Sequence, residues 1–123
     1  MSDVLLATDA DWLFDDVAAA LGGSHDVHRV RDGAAVAPAV EQIEPKLVIL
    51  DLQVGNMGGV ATSIFLKQEV RAGRLPETPV LLLLDRKADE FLATQSDADA
   101  WLTKPLNSLE LSRAANELVD AEQ

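Results

Sequence analysis

Cysteine is absent from this 123-residue sequence, and aromatic residues make up only 4% of it. Without cysteine, the chain has no disulfide framework, no thiolate chemistry and no cysteine-based zinc site. The longest apolar run, Pro79 to Leu84, has the length of a strand and is too short to span a bilayer. The N-terminus reads Met-Ser-Asp and lacks the basic and apolar regions of a signal peptide. We therefore expect a cytoplasmic protein with no membrane partner.

Basic residues are also scarce, with 10 Lys and Arg against 21 Asp and Glu, and the formal net charge is −11. A nucleic-acid binder needs a basic surface to displace counterions from phosphates. The few basic residues here are scattered along the chain, which argues against direct nucleic-acid binding. The acidic character suits contacts with other proteins or with a cation, and plain solubility explains it equally well.

Hydrophobic residues make up 48% of the sequence, enough for one buried core in a chain of this length. Short apolar runs alternate with amphipathic stretches five times. The predicted strands are Val4–Thr8, Asp26–Val30, Leu47–Leu50, Val80–Leu84 and Ala100–Thr103. The predicted helices cover about 11–21, 34–43, 60–72, 88–95 and 108–119, with Ser108 as the cap of the last. We expect Trp12 in the core and His25 and His28 at the surface.

Strands that are apolar on both faces and separated by helices indicate a parallel sheet covered on each side. Right-handed crossovers make the predicted fold α/β, a doubly wound sandwich. Only four residues follow Val119, so we expect a single domain over residues 1–123 with no output domain.

Polar residues follow several strands where these end. In an open parallel sheet, the functional crevice lies at the carboxyl ends of the strands. Paired carboxylates there favour Mg²⁺, and a lysine would help the metal to neutralise a phosphoryl group on a carboxylate nucleophile. An aspartate at one strand end alone is more often a helix cap, so the argument depends on several ends together. The residues at these ends are Thr8, Asp9, Asp11, Asp51, Leu84, Asp85 and Lys104.

Four stretches in this order resemble the receiver domain of two-component response regulators: VLLATDAD, PKLVILDLQVGNMGG, TPVLLLL and ADAWLTKPL. The resemblance covers essentially the whole chain. It implies a flavodoxin-like, five-stranded parallel sheet in the order 2-1-3-4-5. It also implies transfer of a phosphoryl group from a histidine kinase to an aspartate, with Mg²⁺ as cofactor.

The resemblance assigns a role to each matched residue. Asp51 falls on the phosphoacceptor, and Lys104 on the lysine that contacts the phosphoryl group, before a proline that the family joins through a cis peptide. Asp9 falls on the second member of the acidic pair that binds Mg²⁺. Together with Asp51 and the backbone carbonyl of Gln53, it would supply the metal ligands. Trp101 falls on the switch aromatic of the fifth strand.

Two residues depart from the family pattern. Thr8 stands in place of the first acid of the pair, so we expect weak Mg²⁺ binding. Leu84 stands in place of the Thr or Ser whose hydroxyl bonds the phosphoryl group, and leucine offers no hydroxyl. The resemblance therefore indicates an atypical receiver that lacks the hydroxyl of the usual switch.

The resulting expectation is a stand-alone receiver, not an enzyme, that is phosphorylated on Asp51 and signals through protein contacts. Its partners would be a histidine kinase or phosphotransfer protein and an unknown output protein, with homodimerisation through the fourth helix, fifth strand and fifth helix. The alternative is a pseudo-receiver, an interaction module that does not use phosphorylation. A flavin or nucleotide enzyme of the doubly wound class is a distant third reading, because the loop Gly55–Gly59 lacks a nucleotide-binding pattern.

Overall fold

The computed structural model describes residues 1–121 and has a five-stranded parallel sheet in the order β2-β1-β3-β4-β5. This confirms the predicted fold class and strand order. The strands are β1 (Ser2–Ala7), β2 (His25–Val30), β3 (Leu47–Asp51), β4 (Val80–Leu84) and β5 (Ala100–Thr103). The helices are α1 (Asp11–Leu21), α2 (Val36–Ile43), α3 (Gly59–Arg71), α4 (Glu90–Gln95) and α5 (Ser108–Ala121).

The central strands β3 and β4 are buried along their full length because helices cover both faces of the sheet. On one face, α1 and α5 pack over a cluster that includes Leu6, Ile49 and Leu83. On the other face, the buried cluster includes Leu50 and Leu82. Neighbouring residues of a strand thus enter opposite clusters, as the period of two in a strand requires. The strand centres are fixed between the two layers, and their carboxyl ends form one edge of the sheet.

Two predicted helices begin with a separate 3₁₀ turn. The turn over Gly33–Ala35 precedes α2, and Asp32 accepts a hydrogen bond from the backbone N–H of Ala35. The turn over Lys87–Asp89 precedes α4. A pattern of apolar residues does not distinguish these tighter turns from the first turn of an α-helix.

Three local expectations are wrong. Trp12, expected in the core, is 55% exposed on α1. Ser108 does not cap α5; instead the Asn107 side chain accepts a hydrogen bond from the Glu110 backbone N–H at 3.0 Å. His25, expected at the surface, is buried, with Nε2 2.8 Å from the side-chain oxygen of Asn116 on α5. Each error concerns which neighbour a residue meets, which spacing along the chain does not reveal.

Among residues 1–121, no helix is long and apolar enough to cross a membrane.

Candidate functional site at the carboxyl edge of the sheet

Asp51 is the last residue of β3 and lies at the centre of this edge. The apolar run Leu47–Leu50 is fully buried, and the strand therefore delivers the Asp51 carboxylate where it is only 3% exposed. A buried carboxylate must be hydrogen-bonded or paired with a charge. Oδ1 accepts a hydrogen bond from the backbone N–H of Gln53 at 3.1 Å, and other donors reach both oxygens.

Lys104 supplies the positive charge. It follows β5, and its backbone N–H donates to the carbonyl of Leu84 at 2.8 Å, which aligns the end of β5 with that of β4. Its Nζ lies 2.6 Å from Oδ1 of Asp51 and 2.7 Å from Oδ1 of Asp85. The peptide bond from Lys104 to Pro105 is cis, as the resemblance implied.

Charge around Lys104 shifts two pKa values. Burial lowers the pKa of the Lys104 ammonium, but hydrogen bonds to Asp51 and Asp85 outweigh burial and raise this pKa above its ordinary value. Burial likewise raises the pKa of Asp85, and the hydrogen bonds from Lys104 and Gln53 reverse that effect, so the pKa is lowered. The Lys104 ammonium thus lies between the carboxyl groups of Asp51 and Asp85 and within 2.7 Å of both.

Thr8 occupies the position of the missing first acid. It is fully buried at the end of β1, and its hydroxyl donates to Oδ2 of Asp51 at 2.7 Å. The hydroxyl oxygen of Thr8 also accepts a hydrogen bond from the backbone N–H of Ala10 at 3.1 Å. A carboxylate at this position would repel Asp51 unless a cation lay between them. The threonine hydroxyl instead stabilises Asp51 without one.

The other residues predicted to bind metal with Asp51 follow the ends of β1 and β3. Asp9 is exposed and lies close to Gly55 in the loop after β3. If residue 55 had a Cβ atom, that atom would be 3.2 Å from Oδ2 of Asp9. Gln53 is in the same loop, two residues after Asp51. Within residues 1–121, no group of three or more His, Cys, Asp or Glu side chains is arranged to hold a metal ion. The predicted donor set, two carboxylates and one backbone carbonyl, has the chemistry of a site for a Mg²⁺ ion that keeps several waters.

Leu84 and Trp101 belong to the apolar part of the molecule. Leu84 is fully buried in the cluster on the α2–α4 face of the sheet. Trp101 is half-buried, packs against the same cluster and pairs in register with Leu82. The position where the family has a hydroxyl is therefore filled by packed hydrocarbon.

Two sets of ionic contacts at this edge were not expected from the sequence. Asp85 stands out in the sequence only as a residue at a strand end, which does not predict its bonds to Lys104 and to the Gln53 amide (2.7 Å). Asp11, which the sequence shows only as a residue near the end of a strand, contacts Arg29 at 2.8 Å and Arg31 at 3.4 Å. The hydrogen bond from Arg29, and then the charge of Arg31, lower the pKa of Asp11.

Comparison with curated proteins finds relatives that are named as response regulators or as a control protein. Response regulator protein PmrA of Pseudomonas aeruginosa is 37% identical over 111 residues, which cover 88% of this chain and 48% of that protein. Aerobic respiration control protein ArcA of Escherichia coli is 26% identical over 95 residues, covering 77% of this chain and 38% of that protein. Polar-differentiation response regulator DivK of Brucella ovis is 25% identical over 95 residues, covering 77% of this chain and 75% of that protein.

Solved structures agree on the fold. A signal receiver domain of a histidine kinase from Syntrophus aciditrophicus superposes with a TM-score of 0.87 at 22% identity, covering 98% of this chain and 92% of that one. A signal receiver domain from Mycobacterium tuberculosis superposes with a TM-score of 0.81 at 27% identity, covering 97% of this chain and 96% of that one.

The chain is a receiver domain of the response-regulator family. No family model matches it. The chain spans less than half the length of PmrA and ArcA. The fold and these relatives support a place in two-component signalling.

Proposed function

We propose that this receiver domain accepts a phosphoryl group on Asp51 from a histidine kinase or a phosphotransfer protein. The observation that supports this most strongly is the contact of 2.6 Å between the Lys104 ammonium and the buried Asp51 carboxylate. Oδ1 accepts two hydrogen bonds and Oδ2 accepts one, counted over residues 1–121. Oδ2 is therefore the oxygen with more free lone-pair capacity.

In the transfer step, an Asp51 oxygen forms a bond to phosphorus while the bond from phosphorus to the donor nitrogen of phosphohistidine breaks. The electron pair of the broken bond stays on that nitrogen, and because the other ring nitrogen of the phosphohistidine carries a proton, the donor side chain leaves as neutral imidazole. Lys104 neutralises part of the charge on the phosphoryl oxygens, as positioned cations do in phosphoryl transfer. The product, an aspartyl phosphate, would act through protein contacts, so the domain serves as a regulator and not as an enzyme.

Asp9, Asp51 and the backbone carbonyl of Gln53 would hold Mg²⁺ when it is bound. The ion would neutralise phosphoryl charge that Lys104 alone leaves unbalanced. Thr8 contributes a hydroxyl donor in place of a negative ligand. Affinity for a divalent cation falls as charged ligands are removed, so this proposal includes weak Mg²⁺ binding.

The test is incubation with acetyl phosphate and Mg²⁺, followed by intact mass measurement. We expect one phosphoryl group on the wild type and none on the isosteric variant Asp51→Asn. A fall in phosphorylation as Mg²⁺ is removed by a chelator would support the metal assignment. An unmodified wild type, or equal labelling of the variant, would contradict phosphorylation of Asp51.

A second candidate, a pseudo-receiver that binds partners without phosphorylation, is favoured by one observation. Leu84 fills the hydroxyl position with a fully buried apolar side chain. Beryllofluoride with Mg²⁺, a mimic of the phosphoryl group, distinguishes the two by amide NMR. Shifts confined to residues around Asp51 favour the pseudo-receiver, whereas shifts that extend to α4 and α5 favour a phosphorylation switch.

The proposed surface for partners or for a homodimer is formed by α4, β5 and α5. Phe91 and Leu92 of α4 are 69% and 41% exposed, and Leu109 of α5 is 65% exposed. Large apolar side chains that remain exposed are typical of interaction surfaces when they lie together. Sedimentation velocity of wild type and a Phe91→Ser variant would test self-association, because loss of the aromatic ring should weaken a dimer formed here.

A further inference from the structure

Asp85 accepts a hydrogen bond from the Lys104 ammonium, which also binds Asp51, the proposed phosphoacceptor. It directly follows β4, and its Oδ1 lies 2.7 Å from Nζ of Lys104. Its Oδ2 accepts a hydrogen bond of 2.7 Å from the side-chain amide of Gln53. Both oxygens of this carboxylate are thus bound to residues of the pocket, although the side chain is 29% exposed.

These contacts are not needed to begin the helix that follows. The 3₁₀ turn before α4 is capped by Asp89, which accepts a hydrogen bond of 3.0 Å from the backbone N–H of Arg86. An aspartate after a strand is commonly explained as a cap, and here Asp89 has that role. The position of Asp85 therefore calls for a different explanation.

Asp85 and an incoming phosphoryl group would compete for the same ammonium, as the charges and the hydrogen-bond donors of the pocket show. An ammonium has three N–H donors, and Lys104 uses two of them on Asp51 and Asp85. In the part of the chain that the structure describes, no other lysine or arginine forms a hydrogen bond or ion pair with either carboxylate. A phosphoryl group adds a charge of about −1.5 to −2, and it must share this one ammonium with Asp85.

We propose that Asp85 is an internal competitor for Lys104 that slows phosphorylation of Asp51 and is displaced by the phosphoryl group. This inference rests on the proposed function. Displacement would also release Gln53, which lies in the loop after Asp51. The segments after β3 and β4, which Gln53 and Asp85 connect, would then separate. This change would not require a hydroxyl at position 84.

The test is the initial rate of phosphorylation by acetyl phosphate in Mg²⁺, measured by intact mass. Asp85→Asn keeps an oxygen acceptor for Gln53 and removes the charge, and we expect a rate at least fivefold above wild type. The matched control is Asp26→Asn, which removes one negative charge from an exposed residue near the opposite end of the sheet and should leave the rate unchanged. Circular dichroism of each variant verifies folding.

A second variant keeps the inference testable if Asp85→Asn fails to fold. Gln53→Ala removes the amide that holds Asp85 and should raise the rate by a smaller factor in the same direction. If wild type is phosphorylated and neither variant is faster, the competition is wrong while the proposed function stands. If no protein carries phosphate on Asp51, the proposed function itself fails, and the inference fails with it.

Discussion

The two halves of the pocket differ in what they can do. In the half around Asp51, the carboxylate is surrounded by donors from three parts of the chain: the Thr8 hydroxyl, the Gln53 backbone and the Lys104 ammonium. At the end of β4, the equivalent inward position holds Leu84, which is fully buried among apolar side chains. The first half provides hydrogen-bond donors and a positive charge for an anion, whereas the second half consists of packed apolar side chains.

This difference separates accepting a phosphoryl group from transmitting its arrival. A polar group can respond to new charge by changing its hydrogen bonds, whereas a packed leucine can respond only by disturbing the core. Asp85 lies beside Leu84 in sequence and binds Lys104 of the first half. The bond from Lys104 to Asp85 is therefore a polar contact between the two halves.

The largest expected effect comes from removing the cation of the first half. Lys104→Met leaves the buried Asp51 without its counter-charge, and we expect a loss of about 3 kcal/mol in the free energy of unfolding. Phosphorylation by acetyl phosphate should slow by about 100-fold, the scale for losing one group that stabilises transition-state charge. Urea unfolding at pH 7 and intact mass measure the two effects.

The matched control removes the charge that was left unpaired. Adding Asp51→Asn to Lys104→Met should restore much of the lost stability, because the buried anion is gone. If the double variant is as unstable as Lys104→Met alone, the loss reflects packing of the lysine stem, and the polar description of this half is wrong.

A smaller effect is expected when the second half is given a hydroxyl. Leu84→Thr removes buried hydrocarbon and buries a hydroxyl, which should destabilise the domain by about 2 kcal/mol or more. In a Trp12→Phe background, fluorescence of Trp101 should respond to beryllofluoride and Mg²⁺ in Leu84→Thr but not with Leu84 present. Leu84→Val has nearly the same shape as the threonine variant without the hydroxyl and serves as the control. An equal response with Val would assign the change to looser packing.

The sequence predicts those features of the structure that depend on a local run of residues. The apolar runs of β3 and β4 are unbroken, and this pattern by itself indicates buried parallel strands. The ends of β3 and β5 also predict that Asp51 and Lys104 lie at one edge. A residue's position along a strand is a local property, and local patterns determine it.

Contacts between side chains from different strands have no such signal. The sequence shows Asp85 after β4, but not that Lys104 binds it or that Asp89 takes over the capping role. In the same way, helical spacing does not show that Trp12 faces solvent. These outcomes depend on the register between elements, which only the packed chain defines.

The smallest effect is a pH dependence of the contact between the two halves. The pKa of Asp85 lies below its ordinary value of 3.8, because hydrogen bonds from Lys104 and Gln53 outweigh burial. A carboxyl with a lowered pKa adds stability that is complete above its unfolded pKa and is lost as pH falls through the folded value. The pKa of Lys104 is raised, so the stability that its charge contributes is lost only as pH rises above 10.5, far from the acid range in which Asp85 titrates.

Wild type should therefore exceed Asp85→Asn in unfolding free energy by about 0.5–1 kcal/mol at pH 7, the range for a partly exposed ion pair. The excess should be constant from about pH 5 to 7 and shrink below about pH 4. Urea unfolding of both proteins across this range measures it, and other acids cancel in the difference because the two proteins share them. An excess that persists unchanged at low pH would mean that Asp85 stabilises the fold by its shape, because protonation would then remove nothing that holds the two halves together.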